Sequence, residues 1–391
     1  MEPLTITLRT LTPLWTGGVD GQCDRLHETG LIGSLRWWYE ALVRGLGGQA
    51  CDPTSEEPKD RCQFDSKAYE RVKQEGKSQT EALQAGLATI CPVCYLFGAT
   101  GWARLFRLQA TSAPTTPLHF RTSVNMNKGW LKRVFGGEAQ NIDNLTVPYG
   151  DIDLRAVLRG YDEDYVKSQL ALLFRFVATY GGLGARLQHG FGLVEVNLPE
   201  VMEKIAFTEG VKQLGRVLRE GNLRDGLSTT SVFDLSNFVS MEWEIPPKVL
   251  QLFTNEKSHI GNLTKKQESD YLPCAFDLRY KGSGNFGIRQ WLKRNEQWPA
   301  DKINRLMGVS EKKGQKIQDD DRQASYLSFG MPYQQGDSYR LRVFGFAPLD
   351  VLSPDDLREL CQRYVQHVFE VQPASVVLGR DLTSSIQGVA Q

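Results

Sequence analysis

Residues 181–192 read GGLGARLQHGFG, five glycines in twelve positions with Arg186, Gln188 and His189 set among them. The stretch follows an apolar run, ALLFRFVATY (171–180), and leads into FGLVEVNL (191–198). Val166, Leu170, Leu173 and Val177 fall in helical register, which predicts a helix over 161–179, and the segment after the glycines has the alternation of a short strand. A glycine joint of this kind either makes a tight turn or lets something bulky approach the backbone. Three donor side chains beside glycine N–H groups compose a candidate phosphate cradle. GxxxxGK[ST] and GxGxxG are both absent. These glycines follow a helix instead of opening one, the reverse of the dinucleotide fingerprint.

Working outward, LTITLRTLT (4–12) alternates as a strand. GLIGSLRWWYEALVRGL (30–46) presents Leu31, Leu35, Trp38, Leu42 and Leu46 on one helix face, with Arg36, Glu40 and Arg44 on another. A helical piece is expected near 66–86, and strands near 102–110, 118–124 and 145–155. This first half therefore reads β–α–β–β–α–β, the ferredoxin-like order. The second half offers a helix at 208–222, strands at 239–245 and 276–280, and a basic helix at 287–295. SYLSFGM (325–331) and SYRLRVFGFA (338–347) read as strands, and a helix at 354–369 closes the series. Element order alone makes it a second, divergent copy. The expected fold is α+β, with two tandem ferredoxin-like (RRM-like) domains. One spans residues 1–200 and carries a cysteine-bearing insertion at about 49–96; the other spans 201–391.

Bulk composition narrows the function classes. The chain has 391 residues, 41% hydrophobic and 24% charged, with a formal net charge of zero. There is no whole-chain basic signature for nucleic acid, though local patches remain open. No apolar run approaches the ~20 residues of a transmembrane helix, and the N-terminus lacks a signal-peptide pattern. A cytoplasmic protein is expected, so its seven cysteines read as thiols or metal ligands instead of disulfides.

Four constellations could carry chemistry. The first is the glycine loop itself. The second is TGGVDG (16–21), which precedes a helix N-terminus whose free N–H groups and partial positive charge favour anions; Gly17, Gly18, Ser34 and Arg36 belong to it. A plain structural turn is the alternative. The third is NKGWLKRVF (127–135), where Lys128, Lys132 and Arg133 interleave with Trp130. Basic plus aromatic side chains suit a single-stranded nucleic acid; a solvated hairpin is the alternative. The fourth is Cys51, Cys62, Cys91 and Cys94. Four thiolates suit a tetrahedral structural zinc, and a metal would give order to an insertion poor in core-forming residues. The x10 and x28 spacings match no common zinc finger, and a reduced CxxC in a turn is the alternative. HExxH, GxSxG and Walker signatures are absent. A metal-free ribonuclease would need a general base, for which His27 or His189 could serve.

The pattern GGLGARxxxGFG at the end of a β–α–β–β–α–β half resembles the RAMP superfamily of CRISPR RNA-binding proteins. TLTPLWTGG, GLIGSLRWWYEAL and CPVCYLFGATGWARLFRL are similar to the first-numbered subunit of the Cmr complex, the type III-B RNA-targeting effector. The resemblance covers roughly residues 5–197, and the second half only loosely. It implies a non-catalytic subunit at the filament end that holds the guide RNA 3′ part and supports pairing with target RNA in antiviral defence. It implies guide RNA, target RNA and other Cmr effector subunits as partners, no membrane and no organic cofactor. Carried residue by residue, its RNA contacts are Gly17, Gly18, Ser34, Arg36, Arg186, Gln188, His189 and Gly190. It also favours zinc in the cysteine insertion. Two other readings stand beside it: a metal-independent endoribonuclease acting on guide-precursor RNA, and a pure assembly module.

Overall fold

The structure is a computed structural model that describes residues 3–18, 23–118, 146–220, 223–224, 231, 233–245, 275–280, 287–309 and 323–387. The first sheet is built from β1 (Leu4–Thr10), β2 (Phe106–Ser112), β5 (Asp151–Leu158) and β6 (Val194–Asn197). A small ribbon of β3 (Thr115–Pro117) and β4 (Thr146–Pro148) lies between β2 and β5 in the chain. The strand order is β2–β5–β1–β6 and every pair is antiparallel. With α1 (Glu28–Gly45) after β1, and the second long helix, Glu163–Thr179, after β5, this is the ferredoxin-like topology. Its core follows from the alternation. Ile152, Leu154, Ala156 and Leu158 of β5 point inward onto Leu31, Leu35, Trp38 and Leu42 of α1 within one cluster.

The second sheet repeats the plan. β7 (Phe238–Ile245), β8 (Leu327–Phe329), β10 (Ser338–Phe346) and β11 (Pro373–Leu378) run in the order β11–β7–β10–β8, again antiparallel, with β9 (Tyr333–Gln335) pairing the outer end of β10. The expected second ferredoxin-like copy is present, and it contains a strand the sequence reading lacked. PASVVL (373–378) follows the helix Pro354–Phe369 and pairs β7, completing the four-strand order.

Other boundaries differ in instructive ways. The expected strand at 276–280 is a short helix, Ala275–Arg279. Its alternating AFDLR pattern imitates a strand, but every residue in it is buried and tied to a neighbour. Phe276 stacks on His189, the Leu278 carbonyl accepts from the Tyr364 hydroxyl, and Arg279 donates to the Leu327 and Met307 carbonyls. Tertiary partners override the local pattern. The helical piece near 66–86 is two helices, α2 (Ser66–Gln74) and α3 (Gln79–Leu87), the second opened by a Ser78–Glu81 capping box. The expected strand at 118–124 lies largely outside the described residues. Among the described residues no helix is long and apolar enough to cross a membrane.

The two units meet at the end of the helix Glu163–Thr179. Its last carbonyls have no partner within the helix, and the second unit supplies them. Ser240 Oγ donates to the Tyr180 carbonyl at 2.7 Å, and Arg342 Nη1 donates to the Ala178 carbonyl at 2.6 Å. Trp38 of the first unit packs against Phe238, Phe344 and Phe346 of the second. The glycine loop begins at this seam.

Candidate nucleic-acid interface and cysteine cluster

The loop's glycines serve close approach, but what approaches is the protein itself. A Cβ at Gly181 would lie 2.6 Å from the Trp38 ring, and one at Gly184 would lie 2.5 Å from the Trp15 carbonyl. Gly190 abuts Met331 and Ala275 of the second unit. Gly184, Gly190 and Gly192 all have positive φ, which glycine adopts without steric cost. Several N–H groups expected to cradle a phosphate have internal partners. Gly184 N–H donates to Ser34 Oγ at 3.0 Å, Gly190 N–H to the Leu187 carbonyl and Gly192 N–H to the Pro13 carbonyl. Trp38 Nε1 donates to the Gly182 carbonyl at 2.7 Å. The loop is a locked joint.

Its side chains divide. Arg186, itself at φ 60°, lays its guanidinium over the Trp15 ring, 4.6 Å from the centroid. Among the described residues no carboxylate pairs with it, and its buried Nε has no hydrogen-bond partner. Burial pulls its pKa below the ordinary arginine value, the nearby Cys23 works the other way, and it remains a cation at neutral pH. His189 departs from the expected RNA contact. It is 4% exposed, stacked between Phe276 and Tyr280, with Nε2 3.0 Å from the Tyr280 hydroxyl. Burial, then the charges of Arg279 and Arg186, hold its pKa well below 6.5. It is a neutral packing residue in the seam between units. Gly190 is likewise buried there and faces Met331, not solvent.

The two glycine loops do converge. Gly17, Ser34, Arg186 and Gln188 line one cavity of about 450 Å³ between the units. Thr16 holds the first loop to the helix start, its Oγ1 accepting from His27 N–H and donating to the Arg25 carbonyl. Gly18 is half-buried beside the cavity but does not line it. Lys128, Trp130, Lys132 and Arg133 lie outside the described residues. Sequence reading missed the cavity's aromatic wall of Trp37, Phe233, Tyr326 and Phe346. One signal was available: Trp37 neighbours the core residue Trp38, and adjacent helical residues face different directions.

Arg36 departs from expectation as well. Its Nη2 donates to Cys94 Sγ at 3.3 Å and to Cys51 Sγ at 3.7 Å, while Nε pairs with Glu40 at 3.1 Å. Burial opposes its charge, yet the neighbouring Cys94 thiol and Glu40 more than offset this and raise its pKa. Arg36 therefore supports the cysteines instead of facing the cavity. Glu40 also pairs with Arg44, whose Nη1 donates to the Phe233 carbonyl.

Cys51, Cys62, Cys91 and Cys94 are all buried, with their sulfurs within 4.8 Å of one another. The odd spacings have a local explanation. The ten residues between Cys51 and Cys62 form a loop closed by Asp52 N–H to the Asp60 carbonyl at 3.0 Å. Cys91 is the N-cap of the helix Pro92–Phe97, and Cys94 sits in its first turn. Cys91 N–H donates to Cys62 Sγ at 3.2 Å. Four convergent thiols, an amide donor and a guanidinium fit a tetrahedral metal. A divalent ion with four thiolates keeps two excess negative charges, which Arg36 partly offsets.

The sequence model of the RAMP superfamily matches residues 7–195. No curated protein matches the chain in sequence. Among solved structures, the chain is similar to apo Cmr1 from Pyrococcus furiosus at 15% identity, covering 89% of this chain and 88% of that one with a TM-score of 0.41. A chain of the type III-B Cmr-beta complex bound to cognate target RNA is 13% identical, covering 98% and 99% with a TM-score of 0.35. The residues that match the RAMP superfamily model are those that carry the first ferredoxin-like sheet and the glycine joint between its second long helix and last strand.

Proposed function

We propose that the protein is a non-catalytic RNA-binding subunit of a type III-B CRISPR effector, working in the cytoplasm with guide RNA, target RNA and other effector subunits. The RAMP family match and the motifs TLTPLWTGG, GLIGSLRWWYEAL and GGLGARLQHGFG support the class. The observation that carries RNA binding is the cavity where both glycine loops converge. It holds Arg186, a cation without an acidic partner among the described residues, and among those residues no Asp or Glu lines it. Such a site attracts phosphate and binds without reading sequence. Burial of His189 in the seam, away from any bound strand, speaks against a ribonuclease base there. Zinc, held by Cys51, Cys62, Cys91 and Cys94, is read as structural because four protein ligands leave no open position. We take the two units to divide near residue 200.

Arg186→Ala combined with Lys132→Ala should weaken binding of single-stranded RNA about tenfold or more, equivalent to ~1.4 kcal/mol. The slope of log affinity against log salt should fall by about 1 for each phosphate contact removed. A filter-binding titration at several salt concentrations measures both. Unchanged affinity and slope in a folded variant would remove this surface from the RNA path.

A further inference from the structure

The 450 Å³ cavity has a lining of two chemical kinds. Arg186, Gln188 and Ser34 supply polar and charged groups, and Trp37, Phe233 and Tyr326 supply aromatic walls. The aromatic walls are a cluster of rings, Trp37 set edge-on to Phe233 at 5.1 Å and Phe233 tilted against Tyr326 at 5.5 Å between centroids. All three rings remain half-buried, so they are not fully consumed by the core. Neither the Tyr326 hydroxyl nor the Gln188 amide has a hydrogen-bond partner among the described residues.

A larger cleft of about 680 Å³ elsewhere is lined by Arg9 but also by Asp151 and Glu195, which suits an anion poorly. The smaller cavity therefore has the complementary charge. A cation, donor side chains and aromatic walls in one cavity are the kinds of partner that phosphate, sugar and base require. Backbone phosphate alone would need no aromatic wall, whereas single-stranded RNA recognition stacks splayed bases on aromatic side chains.

We infer that this cavity receives one unstacked nucleobase of the bound RNA, stacked against Tyr326 and Trp37, with the adjoining phosphate at Arg186. The inference rests on the RNA-binding reading above and specifies how that site holds its strand. Every base has a π-face, so the pocket takes a base by position along the strand and tolerates any identity.

The test uses the full chain with RNA carrying thiouridine, crosslinked by long-wavelength light and mapped by peptide mass spectrometry. Crosslinks to Tyr326 or Trp37 are expected. Tyr326→Leu should lower RNA affinity about fivefold, near the low end of base–aromatic stacking, while Tyr326→Phe keeps the ring and stays within about twofold. A melting curve establishes that each variant is folded. Bound RNA that crosslinks only elsewhere, with Tyr326→Leu binding as wild type, would overturn the base pocket and leave RNA binding standing. Protection of Tyr326 by a neighbouring protein chain in the absence of RNA would also overturn it. If the wild-type chain and its complex bind no RNA, both readings fall.

Discussion

Cys94→Ser, or removal of metal by a strong chelator, is expected to unfold the insertion between α1 and β2 and to lower the stability of the whole first unit. The reason is compositional. The helix Ser66–Gln74 buries no residue at all, and Gln79–Leu87 buries only Ala82, Gly86 and Leu87. So little apolar burial offsets little of the chain entropy lost on folding. Structural zinc in isolated fingers supplies ~10–16 kcal/mol. Here the Pro92–Phe97 helix also leans on the main core, so a loss of roughly 5 kcal/mol is expected. Cys94 is the most informative position because it is the thiol closest to Arg36. Removing one thiolate loosens the metal and leaves a buried guanidinium with a weaker partner. Elemental analysis should find about one metal ion per wild-type chain and far less in the variant. A metal-free wild-type chain with the same melting temperature would show the thiols to be ordinary core residues.

Gly190→Ala is expected to destabilise the protein by roughly 3 kcal/mol, a large effect for one methyl group. Two costs add. At φ 87° the residue sits where a side chain costs about 1–2 kcal/mol. The new Cβ would also fall 2.5 Å from Met331 Cγ, 2.6 Å from the Met331 backbone nitrogen and 2.7 Å from Ala275 Cβ. Backbone cannot swing aside as a flexible side chain can, so the seam between the units must open. Gly33→Ala is the matched control. Gly33 lies exposed in α1, and a methyl group added there would meet nothing within 4 Å, so the change should be neutral or stabilising by up to ~1 kcal/mol. Thermal melts of the two variants measure the contrast. Equal melting temperatures would mean that the loop does not join the units.

Much of the fold was legible because it depends on periodicity. β1 alternates and α1 shows apolar positions in helical register, so the element order of the first unit could be read directly, although the strand expected at 145–155 is two strands, β4 and β5 (Asp151–Leu158). The second unit was legible only in order. PASVVL is short and half-exposed, and it becomes a strand because β7 offers a free edge. AFDLR alternates like a strand but folds as a helical turn because its partners lie far away in sequence.

The candidate site was legible in residue type and not in direction. Arg36 and Trp37 are neighbours on α1, yet one turns to the cysteines and the other to the cavity. His189 directly follows Gln188 in the loop's short helical turn, but it points into the seam while Gln188 lines the cavity. Glycine N–H groups that look available in a sequence are engaged once the loop is folded. Chain spacing could not reveal that Cys51 and Cys62 are brought together by a closed loop.

The central claim is that this chain works on RNA within a guide-carrying complex. Its most direct test is to isolate the tagged protein from its native cell, identify the subunits that accompany it and sequence the RNA that co-purifies. The account predicts short guides sharing a 5′ repeat-derived tag, held with other effector subunits and lost at high salt. A chain recovered with protein partners and no RNA, or with no partner at all, would contradict it.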